Sequence, residues 1–322
     1  MNSFFDIGLL THLGNKNQLL KLNKLLDWRQ FSRLLGDVHK VDGPRGYDPV
    51  QMFKCLLLSS WHSLSDPGLE QSLRVRLDFL QFTGFSVGDS LPDETTFCRF
   101  RNKLVKQGKF EKLFAEVNRQ LEELGLKVKS AEVAVVDATI INSNSRPRKV
   151  IEVDGEAPIK EELSSDPDAK WVKKGKKCYF GYRGYARSDA EGFIDKTHVQ
   201  PANLSEIKEL KRMTDGLCKG VRVQADKGFF SAENKEMLKS KKLKNGLMYK
   251  AFRNKPLTKR KIQFNKLISK TRWRIEQCFG TIKRRFNYHK ASYFTAVKVD
   301  AEFKMKAMCQ NLLKAINKVE FA

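Results

Sequence analysis

The apolar periodicity of this chain changes character near residue 130, and no single class of secondary structure accommodates both halves. Before that point leucines and phenylalanines recur at helical spacing. Leu19, Leu20, Leu22, Leu25 and Leu26 open one stripe, and Asp48-Pro49 has the form of an N-cap followed by proline at the first helical position, which predicts a helix over 50–60. Asp66-Pro67 repeats that device ahead of Leu69, Leu73, Leu77 and Leu80, and Leu91-Pro92-Asp93 leads into Phe97, Phe100 and a helix expected to reach about Leu124. After it, short runs of strand character at 131–137, 178–185, 193–199, 221–225 and 246–249 are separated by helical stretches at 204–216, 232–241 and 264–288. Strands mixed with helices predict an α/β domain. Residues 142–177, poor in apolar side chains, read as an exposed excursion. The expected organisation is an all-helical N-terminal domain over 1–128 and an α/β domain over 129–322.

Charge separates the halves again. The chain carries a formal net charge of +24, and residues 1–130 hold 19 Lys+Arg against 15 Asp+Glu, so the basicity belongs to the C-terminal part. Within 237–299 there are 19 Lys+Arg and one acid, Glu276. Tyr249, Phe252, Phe264, Ile268, Trp273, Phe279 and Phe286 are threaded through that stretch, which marks folded structure facing a polyanion rather than a tail. Nucleic acid is the expected partner, since an anionic membrane would draw one amphipathic helix with an unburied apolar face. No run of about 18 apolar residues occurs, and the opening residues lack a basic and then apolar leader pattern, so a cytoplasmic protein is expected, neither secreted nor membrane-spanning. The six cysteines are dispersed without a C-x-x-C pair and read as reduced thiols. The five histidines are scattered, and no Ser/His/Asp arrangement supports nucleophilic catalysis.

Three carboxylates stand out. Asp137 ends the run Val133-Ala134-Val135-Val136, and Asp226 ends Val221-Arg222-Val223-Gln224-Ala225, so both are placed at the C-terminal tip of an apolar strand, the edge at which α/β sheets bind ligands. Taken singly, each acid reads equally as the cap of a turn. Glu276 lies on a helix whose apolar stripe is Ile268, Ile275, Phe279, Ile282 and Phe286. At about 100° per residue, Ser269, Arg272, Glu276 and Lys283 share a sector of roughly 60° beside that stripe. A surface ion pair with Arg272, worth under about 1 kcal/mol, is the plain reading. It does not explain why every other acid is missing from the region. Two aspartates and a glutamate supply the hard oxygen ligands that Mg²⁺ or Mn²⁺ prefers, and two such ions support in-line displacement at phosphorus.

The chain resembles the DDE transposases of bacterial insertion sequences, specifically the fifth family, related to the fourth. The resemblance spans nearly the whole length. It rests on Gly46 to Lys54, Ser63 to Glu70 and Asp89 to Phe97 in the first half, then on Val135-Val136-Asp137-Ala138-Thr139, Lys177-Cys178-Tyr179-Phe180-Gly181-Tyr182, Pro201-Ala202-Asn203 and Ala225-Asp226-Lys227-Gly228-Phe229. The most specific piece is Arg272 to Phe286, which is similar to the family signature of Arg, three residues, Glu, six residues, Lys. The resemblance implies an RNase H-like mixed sheet from about residue 131, metal ligation by Asp137, Asp226 and Glu276, and DNA contacts by Arg272 and Lys283, with Lys227 and Arg284 as adjoining cations. It implies a helical domain that contacts element DNA or mediates assembly, and a homodimer or higher assembly on DNA in the bacterial cytoplasm, at the nucleoid. Ser269 stands where the family usually has Tyr, and only 49 residues separate Asp226 from Glu276, too few for the large β insertion of some relatives.

The implied activity is metal-dependent cleavage at the ends of a mobile element followed by strand transfer into target DNA. Two other readings use the same residues. An RNase H-like nuclease would cut without joining, and a former transposase retained for DNA binding would do neither.

Overall fold

The computed structural model describes residues 13–319 apart from 15, 39–45, 128–131, 146, 152–159 and 254–255. It divides into two compact units, Met1–Lys129 with Lys304–Ala322, and Ser130–Phe303. Among the described residues no helix is long and apolar enough to cross a membrane.

The first unit is helical: α1 (Gln18–Leu25), α2 (Trp28–Leu35), α3 (Pro49–His62), α4 (Asp66–Val75), α5 (Leu77–Thr83), α6 (Glu94–Lys106) and α7 (Lys109–Glu123). Asp48 caps α3 as expected, its Oδ1 accepting from the amides of Val50 at 2.8 Å and Gln51 at 3.0 Å. The Asp66-Pro67 device works differently. Ser65 is the N-cap, its Oγ accepting from Gly68 N at 3.2 Å, and Asp66 pairs with Arg101 instead. The two long expected helices are each broken. Arg76 takes extended backbone between α4 and α5, and Gly108, at φ +62°, separates α6 from α7, a left-handed conformation open to glycine at little cost.

A last helix, α11 (Ala296–Lys318), begins in the second unit, but from Lys304 it belongs to the helical one. The expected boundary, which gave the whole C-terminus to the α/β domain, therefore differs from the structure. Met305, Met308, Leu312, Ala315 and Ile316 are buried, Lys306 Nζ donates to Ser60 O at 2.9 Å, and Asn311 Nδ2 donates to Asn118 Oδ1 at 2.9 Å. An apolar face with polar partners on α3 and α7 decides where that segment goes.

The second unit is built on a mixed sheet. Its strands are β1 (Val133–Asn142), β4 (Lys170–Lys174), β5 (Lys177–Ser188), β6 (Ile194–Pro201), β7 (Arg222–Ala225) and β8 (Lys244–Leu247), and a separate ribbon pairs β2 (Arg148–Ile151) with β3 (Lys160–Leu163). The order is β4-β5-β1-β7-β8, with β6 also on β5. β5 is antiparallel to β1, whereas β7 and β8 run parallel to it. An antiparallel meander continued by two parallel strands is the RNase H-like sheet. α8 (Glu206–Met213) and α9 (Ala232–Ser240) provide the crossovers, and Leu210, Met213 and Leu238 close a core with Val136, Tyr185, Val223, Phe229 and Leu247. The long α10 (Lys259–Arg284) buries Ile268, Ile275, Phe279 and Ile282, the stripe read from the sequence. The expected excursion over 142–177 is structured in part: Asp166 within it is 1% exposed and accepts from Ser143 Oγ, the Tyr182 hydroxyl and Thr295 N.

Candidate active site

Asp137 is not at the tip of its strand. β1 continues five residues beyond it to Asn142, because β5 pairs with β1 through Asn142↔Gly181. What ends at Asp137 is the other partnership. The parallel pairing with β7 stops at Val136↔Ala225, so Asp137 and Asp226 are the first residues past the point where the two strands part. Asp226 then turns the chain, its Oδ1 accepting from Gly228 N at 2.7 Å to cap the short 3-10 turn Lys227–Phe229. The capping role that either acid could have had in isolation thus belongs to Asp226. Lys227 is exposed on that turn.

Glu276 is carried by α10, which polar bonds fasten to the sheet. The Thr271 hydroxyl donates to Gln224 Oε1 on β7, and the Asn265 amide clamps Tyr249, accepting from its N at 2.8 Å and donating to its O at 3.0 Å. Gln224 is 4% exposed in the middle of a buried strand. A polar side chain there needs a partner, and that was the one sequence signal for this contact.

The centre of the site is Arg272. Its Nη2 lies 2.9 Å from Asp137 Oδ2 and 3.5 Å from Glu276 Oε1, and its Nη1 lies 3.6 Å from Met248 Sδ. The expected pairing of Arg272 with Glu276 along the helix is present, but the shorter bond goes to Asp137 across the domain. Burial pushes the Asp137 carboxyl up to about 6, against the pull of the Arg272 charge and the Ala138 amide, and Asp226 adds to the upward push. Glu276 has 59% of its side chain exposed.

Further cations lie at the C-terminal end of the same helix. Lys283 is half-buried, and burial together with the charge of Lys174 on β4 holds its ammonium below the usual lysine range. Arg284 is exposed and lies back over its own helix, where a Cβ on Gly280 would stand 3.0 Å from Nη2. Ser269 is exposed, with Oγ 4.0 Å from Met248 Sδ. The structure adds an acid that pattern reading passed over: Glu206, at the start of α8, sits 3.3 Å from Arg183 Nη1 and against Gly228, and burial and the Asp226 charge raise its carboxyl above the usual range.

The family model described as Transposase DDE domain matches residues 129–312, more than half of the chain. The chain belongs to the DDE transposase family. A second model, described as Transposase domain (DUF772), matches residues 9–103 of the helical unit. The transposase for insertion sequence element IS1106 of Neisseria meningitidis serogroup B is 48% identical over 226 residues, covering 69% of this chain and 78% of that protein. Among solved structures, a piggyBac transposase synaptic complex with hairpin DNA is similar at a TM-score of 0.46 and 10% identity, over 96% of this chain and 76% of that one. A Mos1 mariner paired end complex with Mn gives a TM-score of 0.28 at 12% identity, over 89% and 83%. This transposase is therefore an enzyme of DNA cleavage and joining, and enzymes of its family work with divalent metal ions.

The residues of the transposase fit such an ion in their chemistry. A buried carboxylate and an exposed one converge on a single positive nitrogen, and a third acid stands beside the first. They are not yet gathered around a shared centre. Among the described residues no three His, Cys, Asp or Glu side chains come close enough together to hold a metal.

Proposed function

We propose that this transposase cuts DNA at the ends of its own mobile element and joins the freed 3′-hydroxyl to target DNA, with Asp137, Asp226 and Glu276 as the acids that hold two Mg²⁺ or Mn²⁺ ions. The observation that carries this reading is the convergence of Asp137 and Glu276 on one cationic nitrogen beside the point where β1 and β7 part. Bound ions would supply a more acidic water and charge stabilisation of the leaving oxygen.

The protein's own contribution is placement. Asp137 is held by the sheet and by the Ala138 amide at 2.9 Å, Asp226 is fixed by its turn, and Glu276 projects from an anchored helix. A buried acid with a raised pKa favours either a proton or a cation, so Asp137 is poised to take one. Arg272 becomes available to a phosphate oxygen when its two acids are neutralised by something else. Lys283, Arg284 and Lys227 add positive charge for the DNA backbone. Joining two element ends calls for a homodimer or higher assembly, working on the nucleoid in the bacterial cytoplasm.

The test incubates purified protein with labelled DNA carrying the ends of its source element and a target plasmid, with Mg²⁺, Mn²⁺ or EDTA, beside a Glu276→Gln variant. Metal-dependent cleavage and joined products, both lost in the variant, are expected. Cleavage without joining would replace the reading with a nuclease, and binding alone under every metal condition would replace it with a DNA-binding relic.

A further inference from the structure

The hairpin of β4 and β5 carries four lysines in five residues. Lys173 and Lys174 end β4, Gly175 and Lys176 make the turn, and Lys177 opens β5, with Lys174↔Lys177 as the last pair. Gly175 sits at φ +62°, which suits a tight two-residue connection. All four lysines are exposed, and among the described residues none lies within ion-pair distance of a carboxylate. The hairpin is stiffened at its base by Trp171 and Phe180, which are register partners with ring centroids 5.2 Å apart.

Its position follows from register. Gly181 is the last residue of β5 that pairs with β1, so residues 177–180 extend past Asn142, beyond the level at which β1 and β7 part and on the same side of the sheet as Asp226. The tip reaches the site's surroundings from there. The charge of Lys174 is felt both by Lys283 on α10 and by Glu206 beside the Asp226 turn. The two ammonium groups are near enough to repel, and among the described residues neither forms an ion pair, although Glu206 attracts Lys174. A phosphate between them turns the repulsion into attraction.

We propose that the lysine-tipped β4–β5 hairpin, together with Lys283, grips the phosphate backbone of DNA lying along the catalytic edge of the sheet. The contact is with phosphate and carries no sequence preference. This inference rests on the DNA-processing reading above, and its test separates the two.

The probe is a random-sequence DNA duplex of about three helical turns, and the measurement is its dissociation constant across a range of NaCl concentrations. Wild type is compared with the quadruple variant Lys173→Gln, Lys174→Gln, Lys176→Gln, Lys177→Gln. Each lost phosphate contact lowers the slope of log K against log salt by about 0.9, so a drop of about 2 to 4 and roughly tenfold or greater weakening at moderate salt are expected. An unchanged slope and affinity in a folded variant overturns the hairpin proposal and leaves the transposase reading standing. Failure of the wild type to bind any duplex removes both. Acetylation footprinting of the wild-type protein needs no substitution: DNA should shield Lys174 and Lys176 but leave reactive Lys219 and Lys244, which lie at the N-terminal ends of β7 and β8. Equal shielding of all four overturns the proposal.

Discussion

Arg272 and Asp137 meet where α10 crosses β1, with Nη2 2.9 Å from Oδ2 and each side chain 12% exposed. The two residues are 135 positions apart. A buried pair of this kind is worth little over an apolar substitute, but removing one partner strands the other charge.

Arg272→Ala should therefore destabilise the metal-free protein in a pH-dependent way. At pH 8 the loss should be roughly 3 kcal/mol, because an ionised Asp137 is left without its cation. At pH 5 it should be much smaller, since Asp137 then takes a proton. Denaturant unfolding in EDTA at the two pH values reads the difference, and an equal loss at both would show that Arg272 does not compensate Asp137.

Asp137 gives its own pH signature. Its folded pKa of about 6 lies above the ordinary 3.8, so the folded chain holds the proton more tightly than the unfolded one. This contribution is present below about pH 4, is lost as the pH rises to about 6, and amounts to roughly 3 kcal/mol. Asp137→Asn should flatten that part of the profile of melting temperature against pH in EDTA. A profile unchanged by the substitution would place the titration elsewhere.

Lys54 makes a similar case in the helical unit with the opposite sign. The residue is 8% exposed, and its ammonium donates to Asn23 Oδ1 at 2.8 Å and lies 4.4 Å from the Trp28 ring centroid. Burial lowers its pKa to about 8, so the charge costs stability below about pH 8 and the cost fades as the pH climbs toward 10.5. Lys54→Met should stabilise at pH 7 by roughly 1–3 kcal/mol, with less gain at pH 10. A less stable variant at pH 7 would mean that the ring and Asn23 outweigh burial.

The bond between Gln224 and Thr271 should show an asymmetry. Thr271 Oγ1 also lies 3.0 Å from Ile268 O, so its one proton has a second acceptor to turn to when Gln224 is removed. Among the described residues no second donor to Gln224 Oε1 is found, and the strand position is 4% exposed. Thr271→Val should cost about 1–3 kcal/mol, Gln224→Leu less, and the double variant should fall near Gln224→Leu. Equal single losses would sink the idea that Gln224 depends on that hydroxyl.

What was legible in the sequence is what neighbours in the chain decide. The cap at Asp48, the apolar stripe of α10, the change from helical to strand periodicity, and the lone acid among cations all follow from side chains a few residues apart. Distant pairings were not legible. β1 outruns Asp137 because β5 supplies partners to Asn142, while β7 departs after Ala225 and leaves both aspartates at the parting. Arg272 chooses Asp137 over the nearer Glu276 because the Gln224 and Asn265 bonds fix the rotation of α10 against the sheet. The end of α11 joins the helices because its apolar face is buried there. The sequence determined which residues carry charge, carboxylate oxygen and apolar surface. Only tertiary structure decided which of them meet, because register and helix rotation are set by contacts between segments that no local pattern encodes.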